Sequence, residues 1–324
     1  VKEPVFVSIV MYTYNNSKVI ENTLINMDQV ISTHFKNYEL ILVNDASSDQ
    51  TIEKARDAIK NLHGDTTIIN LSRKHGVEAA MLAGLNKSIG DFVFEVESVD
   101  VNYPFELLYE MYKTATSKGY DIVAATTGKT GWKSKIFYKL LNSMSYLQLS
   151  LSTENIRLVT RRALNAMLNL KEKVRYRKAL YEFTGYSKTL ITYKPDRTVN
   201  SKKMNKENFA LAIDALVSFS NAGLKLSHYL SIAFFLFSIF MGGYALYNYF
   251  FNKYVVEGWT TLMILISFGF AGVFFIIGIL GEYIARILIE TQNRPFYSAA
   301  SVEMYKEKRR PIPEFKEENK VSGH

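Results

Sequence analysis

The sequence predicts an α/β fold: a Rossmann-like, mostly parallel sheet with helices on both faces, followed by amphipathic interface helices and a two-helix transmembrane hairpin. Three observations predict it. Strand-like and helix-like stretches alternate before residue 200, acidic residues recur directly after strand-like runs, and two long runs within residues 229–280 carry no formal charge.

The first element is VFVSIVMYT, Val5 to Thr13, a run rich in β-branched and aromatic residues. The amphipathic stretch SKVIENTLINMDQVIST separates it from a second strand, YELILVND, ending at Asp45. TIEKARDAIKNL reads as a helix, TTIINL as a strand, GVEAAMLAGLNKSI as a helix and DFVFEV as a fourth strand. Repeated βα units make strands parallel, because each helix returns the chain to the same end of the sheet. Ligands of such sheets bind beyond the carboxyl ends of the strands. Asp45 and Asp49 stand there after ELILVN, and Glu97 and Asp100 after DFVFEV. A divalent-metal nucleotide site needs such converging carboxylates. Asp45 and Asp49 also suit an ordinary turn, with Ser47 and Ser48 as helix caps.

Composition removes several alternatives. The 324 residues include no cysteine, so disulfides and thiolate metal sites are excluded. The five histidines show no metal-ligand spacing. His75 in SRKHGVEAA reads as a loop residue near a bound ligand, neither metal ligand nor base. No P-loop follows a predicted strand, and no Ser-His-Asp order can be assembled. The opening, VKEPVFVSIVMYTYNN, reads as a first strand rather than a secretory leader.

Tyr229 to Phe250 is uncharged over 22 residues, and Thr260 to Leu280 over 21. Each run would extend roughly 30 Å as a helix, the thickness of a bilayer core. Lys202, Lys203, Lys206 and Lys225 precede the pair, and Arg286, Arg294, Lys306, Lys308, Arg309 and Arg310 follow it. That bias predicts a multi-pass protein of the inner or plasma membrane with both termini cytoplasmic. The net charge of +8 then has a topological origin and calls for no nucleic acid. The expected organisation is a cytoplasmic domain over 1–198, an amphipathic juxtamembrane segment over 199–228, the hairpin over 229–280 and a cytoplasmic segment over 281–324 ending in a disordered tail. Gly242, Gly243, Gly269 and Gly272 permit close helix packing, within one chain or in a homo-oligomer.

Six segments together resemble one family: VSIVMYTYNN, ELILVNDASSDQT, NLSRKHGVEAAMLAGLNKSIGDFVF, SVDVNYPFELLYEM, IRLVTRRALNAM and GEYIARILIETQNRPFY. They are similar to family 2 glycosyltransferases, in the polyprenyl-phosphate branch of bactoprenol glucosyltransferases and dolichyl-phosphate mannose synthases. The resemblance implies a GT-A type fold, a nucleotide-sugar donor, a polyisoprenyl phosphate acceptor, contact with the bilayer and a bound Mg²⁺ or Mn²⁺. It implies donor contacts from Thr13, Tyr14, Asp45, Ser98 and Asp100. Asp100 matches the last acid of the family's metal motif, with Glu97 the second candidate ligand because the first motif acid is replaced by Ser98.

Where the family carries a presumed general base, this chain reads STENIRL, which places Glu154 and Asn155 there, with Arg157 following as catalytic or acceptor-phosphate arginine. Lys202 and Lys203 are the other acceptor-phosphate candidates. Arg161, Arg162, Arg175 and Arg177 read as solvated or lipid-facing. The implied reaction is inverting hexosyl transfer yielding a lipid-linked sugar for cell-surface polysaccharide. The departures at Ser98, Glu154 and Asn155 support a second reading, a non-catalytic or partner-dependent homologue that binds a nucleotide sugar, lipid phosphate or protein.

Overall fold

The computed structural model describes residues 2–128, 154, 156–170, 176–195, 222–251, 258–291 and 295–306. Strands β1 (Glu3–Thr13), β2 (Phe35–Asn44), β3 (Asp65–Leu71) and β4 (Phe92–Val96) alternate with helices α1 (Ile20–His34), α2 (Thr51–Ile59) and α3 (Val77–Lys87). Then come α4 (Leu107–Lys118), β5 (Ile122–Thr126), β6 (Ile156–Thr160), α5 (Arg161–Asn169), α6 (Arg177–Thr184) and β7 (Lys188–Thr192). Two long helices, α7 (Ala222–Phe251) and α8 (Trp259–Thr291), precede β8 (Ala299–Tyr305).

One eight-stranded sheet has the order β7-β5-β6-β4-β1-β2-β3-β8. Strand β1 lies near its middle, and its alternation explains why. Val7, Ile9 and Met11 point to one face and Val10 to the other, all without solvent exposure. On the first face they meet Leu24, Met27 and Ile31 of α1, with α2 and α4 alongside. On the second, Val10 and Val43 meet Met81 and Leu85 of α3, beside Leu164 of α5 and Leu180 of α6. Each such fully buried side chain contributes roughly 1.5–3 kcal/mol. Helix α3 comes so close to the sheet that a Cβ at Gly84 would lie 2.3 Å from Val10 Cγ1. A glycine is therefore required at that crossing.

Two expectations are corrected by this architecture. The sheet is mixed: among the described strands, β1–β2, β1–β4, β2–β3 and β5–β7 pair parallel, while β3–β8, β4–β6 and β5–β6 pair antiparallel. Strand β8 is separated from β3 by most of the chain and not by a single βα crossover, so nothing enforces a parallel direction there. The result is a single mixed α/β Rossmann-like domain, and its topology gives no evidence specific to the expected GT-A type.

The second correction concerns α7 and α8. They form, and they pack through Gly272, where a Cβ would lie 2.2 Å from the Phe234 ring, and through Phe234 and Phe268, whose ring centroids are 5.5 Å apart. Phe235, Phe240, Phe250, Phe274 and Ile284 are exposed on them. Yet among the described residues no helix is long and apolar enough to cross a membrane. The expected transmembrane hairpin and the multi-pass membrane placement with cytoplasmic termini are therefore not supported. The expectation counted an unbroken uncharged run, and spanning requires about 20 contiguous apolar residues. Of the amphipathic segment expected over 199–228, residues 199–221 lie outside the described residues, as does the tail beyond residue 306, and residues 222–228 begin α7.

Candidate active site

Parallel strands β1 to β4 deliver four loops to one rim of the sheet. Asp45, fully buried at the end of β2, gathers two of them. Its Oδ1 accepts from the His75 amide at 2.6 Å, and its Oδ2 accepts from the Gly76 amide at 2.9 Å and the Tyr12 hydroxyl at 3.1 Å. The carboxylate thus fixes the β3–α3 loop, where His75 sits, and sets the N-terminus of α3.

The β1 and β2 loops interlock directly. The Asn15 amide donates to Ser47 Oγ at 3.0 Å, and the Ser48 amide to Asn15 Oδ1 at 2.9 Å. Asn15 and Ala46 adopt left-handed backbone, with φ of 52° and 57°. Buried Thr13 bonds to Asn16 Oδ1 at 3.2 Å, as does the Tyr14 amide at 3.0 Å. The Tyr14 ring carries the Lys74 ammonium 4.7 Å from its centroid, a cation–π contact. Asp49 accepts from the Ser17 amide at 3.2 Å and the Thr51 amide at 3.1 Å. Desolvation works against its charge, but hydrogen bonds from Thr51 and Ser17 outweigh it and keep the carboxyl below its ordinary range.

The loop after β4 separates the two expected metal ligands. Asp100 is half-buried, and its amide donates to Ser98 Oγ at 3.1 Å on the exposed Ser98. Its carboxylate enters no ion pair among the described residues. Val99 anchors the loop from beneath, accepting from Thr23 Oγ1 of α1 at 2.7 Å. Glu97 is taken up by protein cations, with Arg177 at 2.9 Å and Lys178 at 3.7 Å. Loss of hydration raises its carboxyl, but Lys178 and Arg177, with Arg157 behind them, bring it down to about 2. Among the described residues no group of three or more His, Asp or Glu is placed to hold a metal.

Glu97 belongs to a cluster of charges under the rim. Glu95 of β4 lies directly opposite Arg157 of β6 in the strand register, and the two meet at 3.0 Å. Arg157 also holds Glu154 at 2.6 Å, and it is 2% exposed. Both terminal nitrogens of Arg157 are thus engaged by carboxylates, a different setting from the phosphate contact that the family resemblance implied. Burial opposes its charge, yet Glu154 and Glu95 hold it well above the ordinary arginine value. Glu154, equally buried, is drawn below its ordinary range by Arg157, Lys188 and Lys178 in spite of desolvation. Its second oxygen, Oε2, has no hydrogen-bond partner among the described residues.

Arg177 sits at the centre of this cluster, fully buried, 3.3 Å from Glu95, 3.5 Å from Glu78 and 2.9 Å from Glu97. This corrects its expected solvated or lipid-facing placement: three carboxylates replace the water it gives up. Desolvation lifts the Glu78 carboxyl above its ordinary range despite Arg177, and the Glu97 charge adds to the lift. The Tyr181 hydroxyl donates to Glu95 Oε1 and its ring lies 4.9 Å from the Arg157 guanidinium. Arg161 donates to the Gly90 carbonyl at 2.8 Å, and the largely exposed Arg162 pairs with Asp121. Asn155, Arg175, Lys202 and Lys203 lie outside the described residues.

Sequence reasoning passed over Glu95, Glu78 and Tyr181. Glu95 carried a signal, a lone acid inside the otherwise apolar strand FVFEV.

The family model for glycosyl transferase family 2 matches residues 8–182, more than half the chain, so the chain belongs to that family. It is therefore a transferase. Bacillus subtilis glycosyltransferase YkcC is 32% identical over 304 residues, covering 90% of this chain and 92% of that one. The bactoprenol glucosyl transferase of Shigella phage SfII is 29% identical over 269 residues, covering 80% and 86%. At family level, then, the chain is related to glycosyltransferases named for a lipid acceptor. Among solved structures, glucosyl-3-phosphoglycerate synthase from Mycobacterium tuberculosis, in complex with Mn²⁺, UDP-glucose and phosphoglyceric acid, matches with a TM-score of 0.43 at 16% identity, covering 65% of this chain and 80% of that one.

Proposed function

We propose that this protein transfers a hexosyl group from a nucleoside-diphosphate sugar, UDP-linked, to a polyisoprenyl phosphate, giving a lipid-linked sugar. The observation that carries the proposal is the extended likeness to bactoprenol glucosyl transferases, which covers 80% of the chain. Tyr14 with Lys74 offers a flat, positively charged platform for a nucleobase or a phosphate, and the loops fixed by Asp45 frame it.

The residues present fit a divalent cation of one kind. Asp100 is left to bind, Glu97 being paired with Arg177. Mg²⁺ is commonly held by one or two carboxylates together with substrate phosphates and water, so Asp100 with the donor diphosphate suffices as a ligand set. Such a cation, Mg²⁺ or Mn²⁺, would offset the charge that develops on the leaving diphosphate.

In the transfer, a phosphate oxygen of the acceptor forms a bond to the anomeric carbon as the bond to the nucleoside diphosphate breaks. The bonding electrons leave with the diphosphate, and the configuration at that carbon inverts. An acceptor phosphate with a second pKa of about 6 is already ionised near neutrality and needs orientation more than a base. Glu154, buried and bound to Arg157, suits that supporting role better than proton abstraction. The exposed apolar side chains of α7 and α8 supply a surface for the acceptor's hydrocarbon tail or the bilayer that holds it.

Transfer from radiolabelled UDP-sugars to undecaprenyl phosphate, with Mg²⁺, Mn²⁺ or EDTA, tests the proposal. Product is expected with one donor, lost on chelation and reduced about 10²–10³-fold or more by Asp100→Ala. Undiminished transfer by Asp100→Ala would remove Asp100 from the site. A folded wild-type protein that forms no product with any donor would overturn the assignment.

A further inference from the structure

Strand β8 continues from α8 after a short connection, and it returns to the edge of the sheet beside β3. The strand registers align one residue from each of four neighbouring strands: Thr13 opposite Asn44, Asn44 opposite Asn70, and Asn70 opposite Ser301. This row lies at the rim end of β1, β2 and β3. Its side chains are joined in series. Asn70 Nδ2 donates to Glu303 Oε1 at 2.8 Å and to Ser301 Oγ at 3.0 Å, both on β8. Asn44 Nδ2 donates to Asn70 Oδ1 at 2.9 Å. Asn44 Oδ1 then accepts from the Ser47 amide at 3.0 Å, and Ser47 Oγ accepts from the Asn15 amide.

The series begins on β8 and ends on the two left-handed residues of the rim, Asn15 and the Ala46 that precedes Ser47. Left-handed backbone costs a non-glycine residue roughly 1–2 kcal/mol and persists only where its surroundings impose it. The imposing contacts here come through Asn44, whose amide is oriented by Asn70, which is oriented in turn by β8. A second attachment runs in parallel. The Ser72 amide donates to the Ser298 carbonyl at 2.9 Å, and the Ser298 amide donates to His75 Nε2 at 3.3 Å, on the loop that Asp45 holds. Glu303 is itself anchored by Arg56 of α2 through two bonds, at 2.8 and 3.0 Å.

We propose that β8 is a positioning strap for the donor loops: Ser301 and Glu303, acting through Asn70 and Asn44, hold Asn15, Ala46 and Ser47 in the conformation that receives the nucleotide. The nucleotide part of this inference rests on the donor site proposed above; the coupling of β8 to the loops does not.

The test compares Asn70→Ala with Arg56→Ala in the full chain. Arg56→Ala removes the two bonds that anchor Glu303 to α2 but leaves Asn70 with its Glu303 and Ser301 acceptors, so it destabilises the sheet edge with the hydrogen-bond series intact. Hydrogen exchange of the Asn15, Ser47 and Ser48 amides is read first. Exchange about tenfold faster in Asn70→Ala, with little change in Arg56→Ala, is expected. UDP affinity by calorimetry and the donor KM are read second. Asn70→Ala should weaken both about tenfold while kcat changes little, and Asn70→Gln should restore part of the loss. Equal amide protection in both variants would overturn the strap, as would a donor affinity that simply tracks melting temperature across them. Loosened loops in a protein whose wild type binds no nucleotide would keep the strap and overturn the donor site.

Discussion

The rim and the cluster beneath it are held by opposite means. At the rim, Asn15, Asn44, Ser47 and Asn70 are neutral groups that trade hydrogen bonds and hold two left-handed residues in place. Under β4, Glu95, Arg157, Glu154 and Arg177 are charged groups excluded from water and paired with one another. The difference teaches where each region is vulnerable. A neutral network loses one bond at a time, whereas a buried charge cluster that loses one member leaves the others uncompensated.

The largest effect is therefore expected from Glu95→Ala, which deprives both Arg157 and Arg177 of a carboxylate. Urea unfolding should show a loss of about 3–5 kcal/mol. A loss under 1 kcal/mol would mean that the cluster is hydrated and the contrast with the rim is false. Acid is a gentler probe of the same contrast. Desolvation works against the Glu97 charge, but Lys178 and Arg177 outweigh it and bring the carboxyl down to about 2 in the folded chain. An unfolded glutamate titrates near 4.3, so it contributes stability that is full above that value and is lost as pH falls toward 2. The neutral amides of the rim have no such dependence. Stability measured between pH 5 and pH 2 should fall less steeply in Glu97→Gln than in the wild type, and equal slopes would take Glu97 out of the cluster's energetics. The smallest effect belongs to the rim. Ala46→Gly relieves the left-handed backbone but adds freedom to the unfolded chain, for a net gain of about 0.5 kcal/mol. A marked loss in the same measurement would show that the Ala46 side chain, not its backbone, matters to the loop.

Much of the α/β core was legible. The β-rich runs at Val5–Thr13 and Tyr38–Asp45 and the amphipathic stretches between strands appear as β1, β2 and the helices that cover them, because local pattern and burial agree there. The rim could be read too, since strand ends must lead to it. Which partner each acid would find could not. Asp45 points at backbone amides thirty residues on, and Glu97 at an arginine eighty residues on; such distances depend on how the sheet orders its strands. Strand β8 was missed for a related reason. Its AASVEMY is short and polar on one side, and only the exposed edge of β3 makes it a strand. The apolar helices teach the reverse, because counting uncharged residues gave their positions but did not supply a span.

The pairing of β3 with β8 also sets an order of assembly. Asn70 and Ser301 are 231 residues apart in the chain, with both long apolar helices between them. At roughly 5–20 residues per second of synthesis, the edge of β3 stands uncovered for on the order of ten to fifty seconds after it is made. Its open backbone groups are then a template for any strand that arrives first. The sheet is closed last by the segment that emerges behind the apolar pair, so a newly made chain acquires its finished rim only once those helices have found their own place.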